Sequence, residues 1–122
     1  MFEEYGDPSS KKAPAAKLQI FLSEEGNSLE FEHNGGDQLF FDSSSLSIIM
    51  NINDVSYPLN GSSLGILEAG EKKVLALNAS ELPAMELIPE DRMSVKVVDY
   101  ESGCLIAESE LRIKAKTTVV PE

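Results

Sequence analysis

Apolar and polar residues alternate along most of this chain, and the alternation marks short strands separated by turns. Over residues 17–23 the apolar side chains Leu18, Ile20 and Leu22 occupy every second position. Residues 24–27 then offer a turn, after which the alternation resumes at Leu29. A period of two residues places alternate side chains on opposite faces of a β-strand. These first two runs therefore predict an antiparallel hairpin.

The same alternation recurs further along the chain, over residues 46–52, 55–59, 93–97 and 105–113. Pro58 lies within the second of these runs, and proline has no N–H to donate to a strand partner. We therefore expect that strand at the edge of a sheet. Residues 74–77 are continuously apolar, which predicts a strand that is buried on both faces.

About seven short strands, with turn signals roughly every 8–12 residues, are typical of an all-β sandwich. The sequence predicts an antiparallel two-sheet β-sandwich that is Ig-like, and a small closed barrel is the alternative. Sustained helical periodicity is absent from the sequence. One short helical turn is expected near residues 80–82, because a serine followed by an acidic residue is a common helix start.

The sequence of 122 residues divides into three segments. Residues 1–16 combine proline, serine and alanine without periodicity, which indicates a flexible linker or neck. Residues 17–115 form the predicted sandwich domain, and residues 116–122 are interpreted as a C-terminal tail. The sequence contains no run of about 20 apolar residues, the length that would span a bilayer as a helix.

Charge and cysteine content exclude several classes of function. The chain carries 21 acidic and 10 basic residues, a net charge of −11. Such a surface repels phosphate backbones, so we expect no nucleic-acid partner. One cysteine and one histidine cannot form a Cys/His metal cluster, and Cys104 has no intrachain disulfide partner.

Candidate chemistry in the sequence is sparse. Residues 51–54 (Asn-Ile-Asn-Asp) place oxygen ligands close together but lack the spacing of a calcium loop, which favours a hairpin turn. The paired acidic residues lie where solvated faces or turns are expected. We assign no catalytic, cofactor-binding or metal-ligating residue, and we expect the protein not to be an enzyme.

Two Asn-x-Ser sequons begin at Asn60 and Asn78, and both lie in a predicted loop or at a strand end. This motif is the acceptor for N-glycosylation in exported proteins. A chain of this length contains one or two such motifs by chance. Asn60 and Asn78 are therefore candidate glycosylation sites if the protein is exported.

The segment from His33 to Asp37 is the most distinctive in the chain. Its Asn-Gly-Gly step permits backbone conformations with positive φ, which a Cβ would disfavour. We expect the Asp37 carboxylate to accept a hydrogen bond from an amide of this turn. His33 shares a strand face with Leu29 and Phe31, so its ring is expected to be shielded. A structural role is favoured over a catalytic one, since catalysis also needs a positioned nucleophile.

His33, Gly35, Gly36 and Asp37 together resemble the His-x-Gly-Gly-Asp turn of the archaeal type IV pilin family. In that family the turn belongs to the domain that follows an N-terminal hydrophobic helix. The similarity extends in order through an Ala-Gly-Glu turn at residues 69–71, a strand at residues 73–77 and a Val-x-Val-Val strand preceded by an acidic turn at residues 90–98.

This resemblance implies a non-enzymatic cell-surface protein, the head of a pilin-like subunit with a structural or adhesive role and no cofactor. It would be extracellular, and it would be anchored to the membrane and joined to other pilin subunits through a helix that is absent from this sequence. It could also contact a surface ligand. The isolated domain is expected to be a monomer or a weak dimer.

Two other functional classes are also considered. The alternative is a soluble Ig-like module that recognises a protein or carbohydrate partner through its loops. A hydrolase built on the same fold comes third, because no convergent catalytic set is visible.

Overall fold

The computed structural model describes residues 15–43 and 45–120. Within those residues the fold is mostly β, with two short 3₁₀ turns and no α-helix. No helix among them is long and apolar enough to cross a membrane. Eleven strands are present in the described residues: β1 (Ala16–Leu22), β2 (Ser28–Gly36), β3 (Leu39–Phe40), β4 (Leu46–Ile52), β5 (Val55–Leu59), β6 (Ile66–Leu67), β7 (Lys72–Ala76), β8 (Met85–Leu87), β9 (Met93–Asp99), β10 (Cys104–Leu111) and β11 (Thr117–Val119).

The strands form four sheets, and every strand pair is antiparallel. One sheet has the order β1-β2-β7 and another the order β10-β9-β4-β5, while β3 pairs with β6 and β8 with β11. The prediction of an all-β antiparallel fold is confirmed. The number of strands is larger than the seven or so predicted, because β3, β6, β8 and β11 have only two or three residues, too few for alternation to appear.

A single hydrophobic core joins the two larger sheets. Leu29 and Phe31 of β2 and Met50 of β4 are fully buried in the same cluster. The rings of Phe31 and Phe41 lie 5.8 Å apart between centroids, with their planes tilted by 54°. Such a tilted arrangement stabilises an aromatic pair beyond the area that it buries. Strands β1 and β10, one from each sheet, also lie alongside one another.

The predicted hairpin of the first two runs is confirmed as β1 and β2. Ile20 lies opposite Phe31, and Leu22 lies opposite Leu29. The edge position of Pro58 is also confirmed, since β5 is the last strand of its sheet and Pro58 lies opposite Ile49 of β4. Alternation was informative here because one face of each strand is buried in the core.

Two predictions about residues 74–82 are wrong. Val74 is 59% exposed, because successive side chains of β7 point to opposite faces of the sheet and only one face meets the core, where Leu75 and the following Leu77 are buried. The helical turn is a 3₁₀ turn over Leu77–Ala79, not over residues 80–82. Glu81 adopts a φ of 66°, which is incompatible with a right-handed turn.

The folded unit extends beyond residue 115. Thr117 and Val119 are buried, and β11 pairs with β8. The Thr117 hydroxyl donates to the Glu25 carbonyl over 3.1 Å, which ties this strand to the β1–β2 turn. The predicted tail, residues 116–122, therefore contains a strand of the fold, and its residues 121–122 lie outside the described range. At the other end, Ala16 belongs to β1, and residues 1–14 of the predicted linker also lie outside that range.

Candidate functional site

His33 lies on the inward face of β2 and is completely buried. The Gly35 N–H donates to its Nδ1 over 3.2 Å, and its Nε2 lies 2.6 Å from the Asp37 carbonyl oxygen. A backbone N–H can only donate and a carbonyl can only accept. In the tautomer with its proton on Nε2, the ring makes both contacts, so that each ring nitrogen is hydrogen-bonded to backbone of the turn. The expectation of a shielded ring is confirmed.

The backbone of His33 joins this turn to a second one. Its N–H donates to the Glu71 carbonyl over 3.0 Å, and its carbonyl accepts from the Gly70 N–H over 2.8 Å. Residues 69–71 are the Ala-Gly-Glu turn that leads into β7. The two turns singled out in the sequence therefore lie side by side at one end of the β1-β2-β7 sheet.

Asp37 binds the residue that precedes β1, not an amide of its own turn as expected. The Ala15 N–H donates to Asp37 Oδ2 over 3.0 Å, and the Asp37 N–H donates to the Ala15 carbonyl over 2.9 Å. The two residues are 22 positions apart. Because the β1–β2 hairpin runs antiparallel, the end of β2 meets the start of β1, where the Asp37 carboxylate meets the incoming chain. We call this reciprocal pair the Ala15–Asp37 clamp.

The two glycines of the turn have different requirements. Gly35 and Gly36 adopt φ values of 140° and 102°, which disfavour any residue with a Cβ. A Cβ on Gly36 would in addition overlap the Ala15 carbonyl oxygen, whereas a Cβ on Gly35 would meet nothing within 4 Å. Gly36 is thus needed for the close approach of Ala15, and Gly35 only for its backbone conformation.

The hairpin turn after β4 contributes to a separate polar groove. Asn53 and Asp54 have φ values of 51° and 71°, as in the tight hairpin turns that residues of this type adopt, so the predicted turn at residues 51–54 is confirmed. Asn53 Nδ2 donates to Asp91 Oδ1 over 2.8 Å, and Arg92 Nη2 lies 3.3 Å from Asp54 Oδ2. No metal-binding group of three or more His, Cys, Asp or Glu residues exists within the described ranges.

This groove has a volume of about 850 Å³ and opens between the β4–β5 turn, the start of β9 and the end of β10. Its walls carry charges of both signs. The acidic members are Asp54, Glu90, Asp91 and Glu110, and the basic members are Arg92, Arg112 and Lys114. Sequence alone did not point to this groove, because its walls come from segments that are far apart along the chain.

The two sequons lie on neighbouring loops. The Asn60 N–H donates to the Ser80 carbonyl over 2.9 Å, so the first sequon touches the last residue of the second. Asn60 and Asn78 are both exposed, as predicted for loop positions. Their serines differ, since Ser62 is exposed and Ser80 is completely buried.

Neither a scan against protein-family models nor a search of curated proteins finds a match for this chain. Its function is therefore inferred from the sequence and from the geometry of the turn, the groove and the loops.

Proposed function

We propose that this chain is the head of a non-enzymatic cell-surface subunit similar to archaeal type IV pilins, with a structural or adhesive role. Its two larger sheets would form the Ig-like sandwich expected of such a head. The His33–Asp37 turn and the order of the later motifs support this assignment, because these segments occur as turns and strands of an antiparallel β fold, in the order that the resemblance implies.

The observation that carries the proposal is the Ala15–Asp37 clamp. In a subunit whose head follows a helix, the residues that enter the head connect it mechanically to the rest of the assembly. Here that point is held by two hydrogen bonds, at 3.0 and 2.9 Å, one of which involves a carboxylate. Charge-assisted hydrogen bonds are among the stronger ones in proteins. The turn motif would thus fasten the head to the segment that precedes it.

The inward side of the turn supports the same role. His33 holds both ends of the turn through its two ring nitrogens, and its backbone binds the neighbouring turn at residues 70–71. The carboxylate of Asp37 therefore sits on a rigid support. A net charge of −11 suits a head that faces the medium, because mutual repulsion keeps neighbouring heads from aggregating.

Immunogold electron microscopy of intact cells tests the proposal. Antibodies raised against the purified chain should label surface filaments or the cell envelope of the source organism. A matched labelling of cells that lack the gene controls for cross-reaction. Antigen found only in the cytosolic fraction would overturn the surface assignment.

The polar groove supports a second candidate function, that of a soluble Ig-like module binding a protein or carbohydrate. Its mixture of carboxylates and guanidinium groups offers both acceptors and donors to a polar ligand. Nuclear magnetic resonance titration of the labelled chain with oligosaccharides and with extracts of surface proteins tests this function. Shifts confined to residues 90–94 and 110–114 would favour it, particularly if the antigen is found outside filaments.

A further inference from the structure

The two sequons of this chain share a motif but differ in how much of it the folded protein presents. An Asn-x-Ser sequon is read through both its asparagine amide and its serine hydroxyl, which is why neither residue alone defines the motif. A transferring enzyme that acts on the folded chain therefore needs access to both groups. The two sites are distinguished by their serines.

The sequon at Asn60 is open. Asn60 and Ser62 are both exposed, and Asn60 Oδ1 accepts hydrogen bonds from the Ser62 N–H over 3.0 Å and from the Ser62 hydroxyl over 2.8 Å. This is an Asx-type turn, which brings the amide and the hydroxyl together on the surface. Asn60 Nδ2 donates to Glu81 Oε2 over 2.6 Å, and since both side chains are exposed, water can replace that bond.

The sequon at Asn78 is closed. Its asparagine is exposed in the 3₁₀ turn over Leu77–Ala79, but Ser80 is completely buried. The Ser80 hydroxyl donates to the Leu77 carbonyl over 2.7 Å, so its proton is already used inside the protein. The Ser80 carbonyl is also occupied, by the Asn60 N–H. Presenting this hydroxyl to an enzyme would require local unfolding of the loop.

We propose that the folded chain accepts an N-linked glycan at Asn60 and not at Asn78. The donor is an oligosaccharide linked to a lipid through pyrophosphate. The Asn60 amide nitrogen forms a bond to C1 of the first sugar while the C1–O bond to phosphate breaks. The lipid pyrophosphate leaves, and the amide loses one proton to a base of the enzyme. The biological use of this site rests on the surface location proposed above.

Glycan transfer to the purified, folded chain tests the proposal without requiring export. The chain is incubated with an oligosaccharyltransferase and its lipid-linked donor, and intact mass spectrometry counts the glycans added. We expect one glycan on the wild type and on Asn78→Gln, and none on Asn60→Gln or Ser62→Ala. Circular dichroism of each variant confirms that it is folded.

Synthetic peptides spanning residues 56–66 and 74–84 separate the effect of folding from that of sequence. Both peptides should be modified, because Ser80 is free in the unfolded state. Glycan on Asn78 of the folded chain would overturn the proposal. So would a folded chain that is modified at neither site, or a peptide of residues 56–66 that is not an acceptor. Modification at Asn60 in vitro with a protein confined to the cytosol would instead overturn the surface function alone.

Discussion

Asn53 Nδ2 donates to Asp91 Oδ1 over 2.8 Å and joins two turns that are 38 residues apart in the sequence. The link is reciprocal, because the Arg92 N–H donates to Asn53 Oδ1 over 2.9 Å and the Asn53 N–H donates to the Arg92 carbonyl over 2.9 Å. Asp91 also accepts from the Ile88 N–H through its second carboxylate oxygen. One ionised side chain thus holds the turn before β9 against the turn after β4.

The first prediction concerns the acid sensitivity of this link. The hydrogen bond from Asn53, and next that from the Ile88 N–H, lower the pKa of Asp91 because both favour the ionised carboxylate. A pKa lowered by folding gives stabilisation that is present above the unfolded pKa, about 3.9, and is lost as the pH falls through the folded value. Asn53→Ala should therefore lose less stability than the wild type as the pH falls from about 5 to about 3, roughly one unit either side of that unfolded pKa.

Thermal melts of the wild type, Asn53→Ala and Asp91→Asn across that range measure the effect. Asp91→Asn removes the titrating group and should show the smallest pH dependence of the three. Parallel pH profiles for the wild type and Asn53→Ala would contradict the link between this hydrogen bond and acid stability.

The second prediction concerns the buried histidine. His33→Ala removes a ring that is bonded to Gly35 and Asp37 and leaves a buried cavity. We expect a loss of about 2–3 kcal/mol in the free energy of unfolding, as is usual when a buried hydrogen-bonded group is deleted. Urea denaturation measures this loss. Asn34→Ala, at the next, exposed position of β2, should cost about 0.5 kcal/mol or less, and equal stabilities of the two variants would contradict a structural role for His33.

The third prediction separates the two glycines of the turn. Gly35→Ala and Gly36→Ala both place a Cβ on a backbone with positive φ, which costs about 1–3 kcal/mol. Only the alanine at position 36 also meets the Ala15 carbonyl oxygen. Gly36→Ala should be the less stable variant in denaturant titrations, and an equal or reversed order would contradict the close approach of Ala15.

The fourth prediction tests the clamp directly. Asp37→Ala removes the acceptor of the Ala15 N–H and should reduce the hydrogen-exchange protection of that amide by about tenfold, the factor that corresponds to about 1.4 kcal/mol. Protection in the centre of β2 should change little. Asp37→Asn retains a side-chain oxygen that can accept and should restore part of the protection. Unchanged exchange at Ala15 in Asp37→Ala would mean that the carboxylate does not hold this residue.

The fifth prediction is that the isolated chain is soluble, shows no enzymatic activity and forms no filaments on its own. Assembly in the resembling family is implied to depend on an N-terminal helix, and the heads, each with a net charge of −11, repel one another. Light scattering and negative-stain microscopy check the assembly, with a hydrolase screen for activity. Regular filaments without the helix would contradict the dependence of assembly on that helix, and robust turnover would contradict a non-enzymatic role.

The sequence predicted the parts of the fold that depend on local properties of a single strand. The β1–β2 hairpin and the edge position of Pro58 follow from alternation and from the missing proline N–H, both of which are local properties. The exposure of Val74 could not be predicted in this way, because a continuous apolar run does not reveal that one face of the sheet is left open to solvent. Strands as short as β3 and β6 carry too few residues to show a period.

In the candidate site, too, the sequence predicted the local features but not the contacts made by the tertiary fold. His33 and the two glycines have a local signature, whereas the partner of Asp37 is Ala15, which only the pairing of β1 with β2 brings within reach. The contrast between Ser62 and Ser80 was likewise hidden, since both stand in the same motif and differ only in tertiary burial.

The pairing of β8 with β11 has a consequence for how the chain folds as it is synthesised. The strand partner of Leu87 is Thr117, which is synthesised later. The Glu25 carbonyl also accepts its hydrogen bond from the Thr117 hydroxyl. A ribosome would have to release residues 117–119 from its exit tunnel before these groups are satisfied. We therefore expect the nascent chain to remain incompletely folded, and accessible to chaperones, until residues 117–119 have left the ribosome.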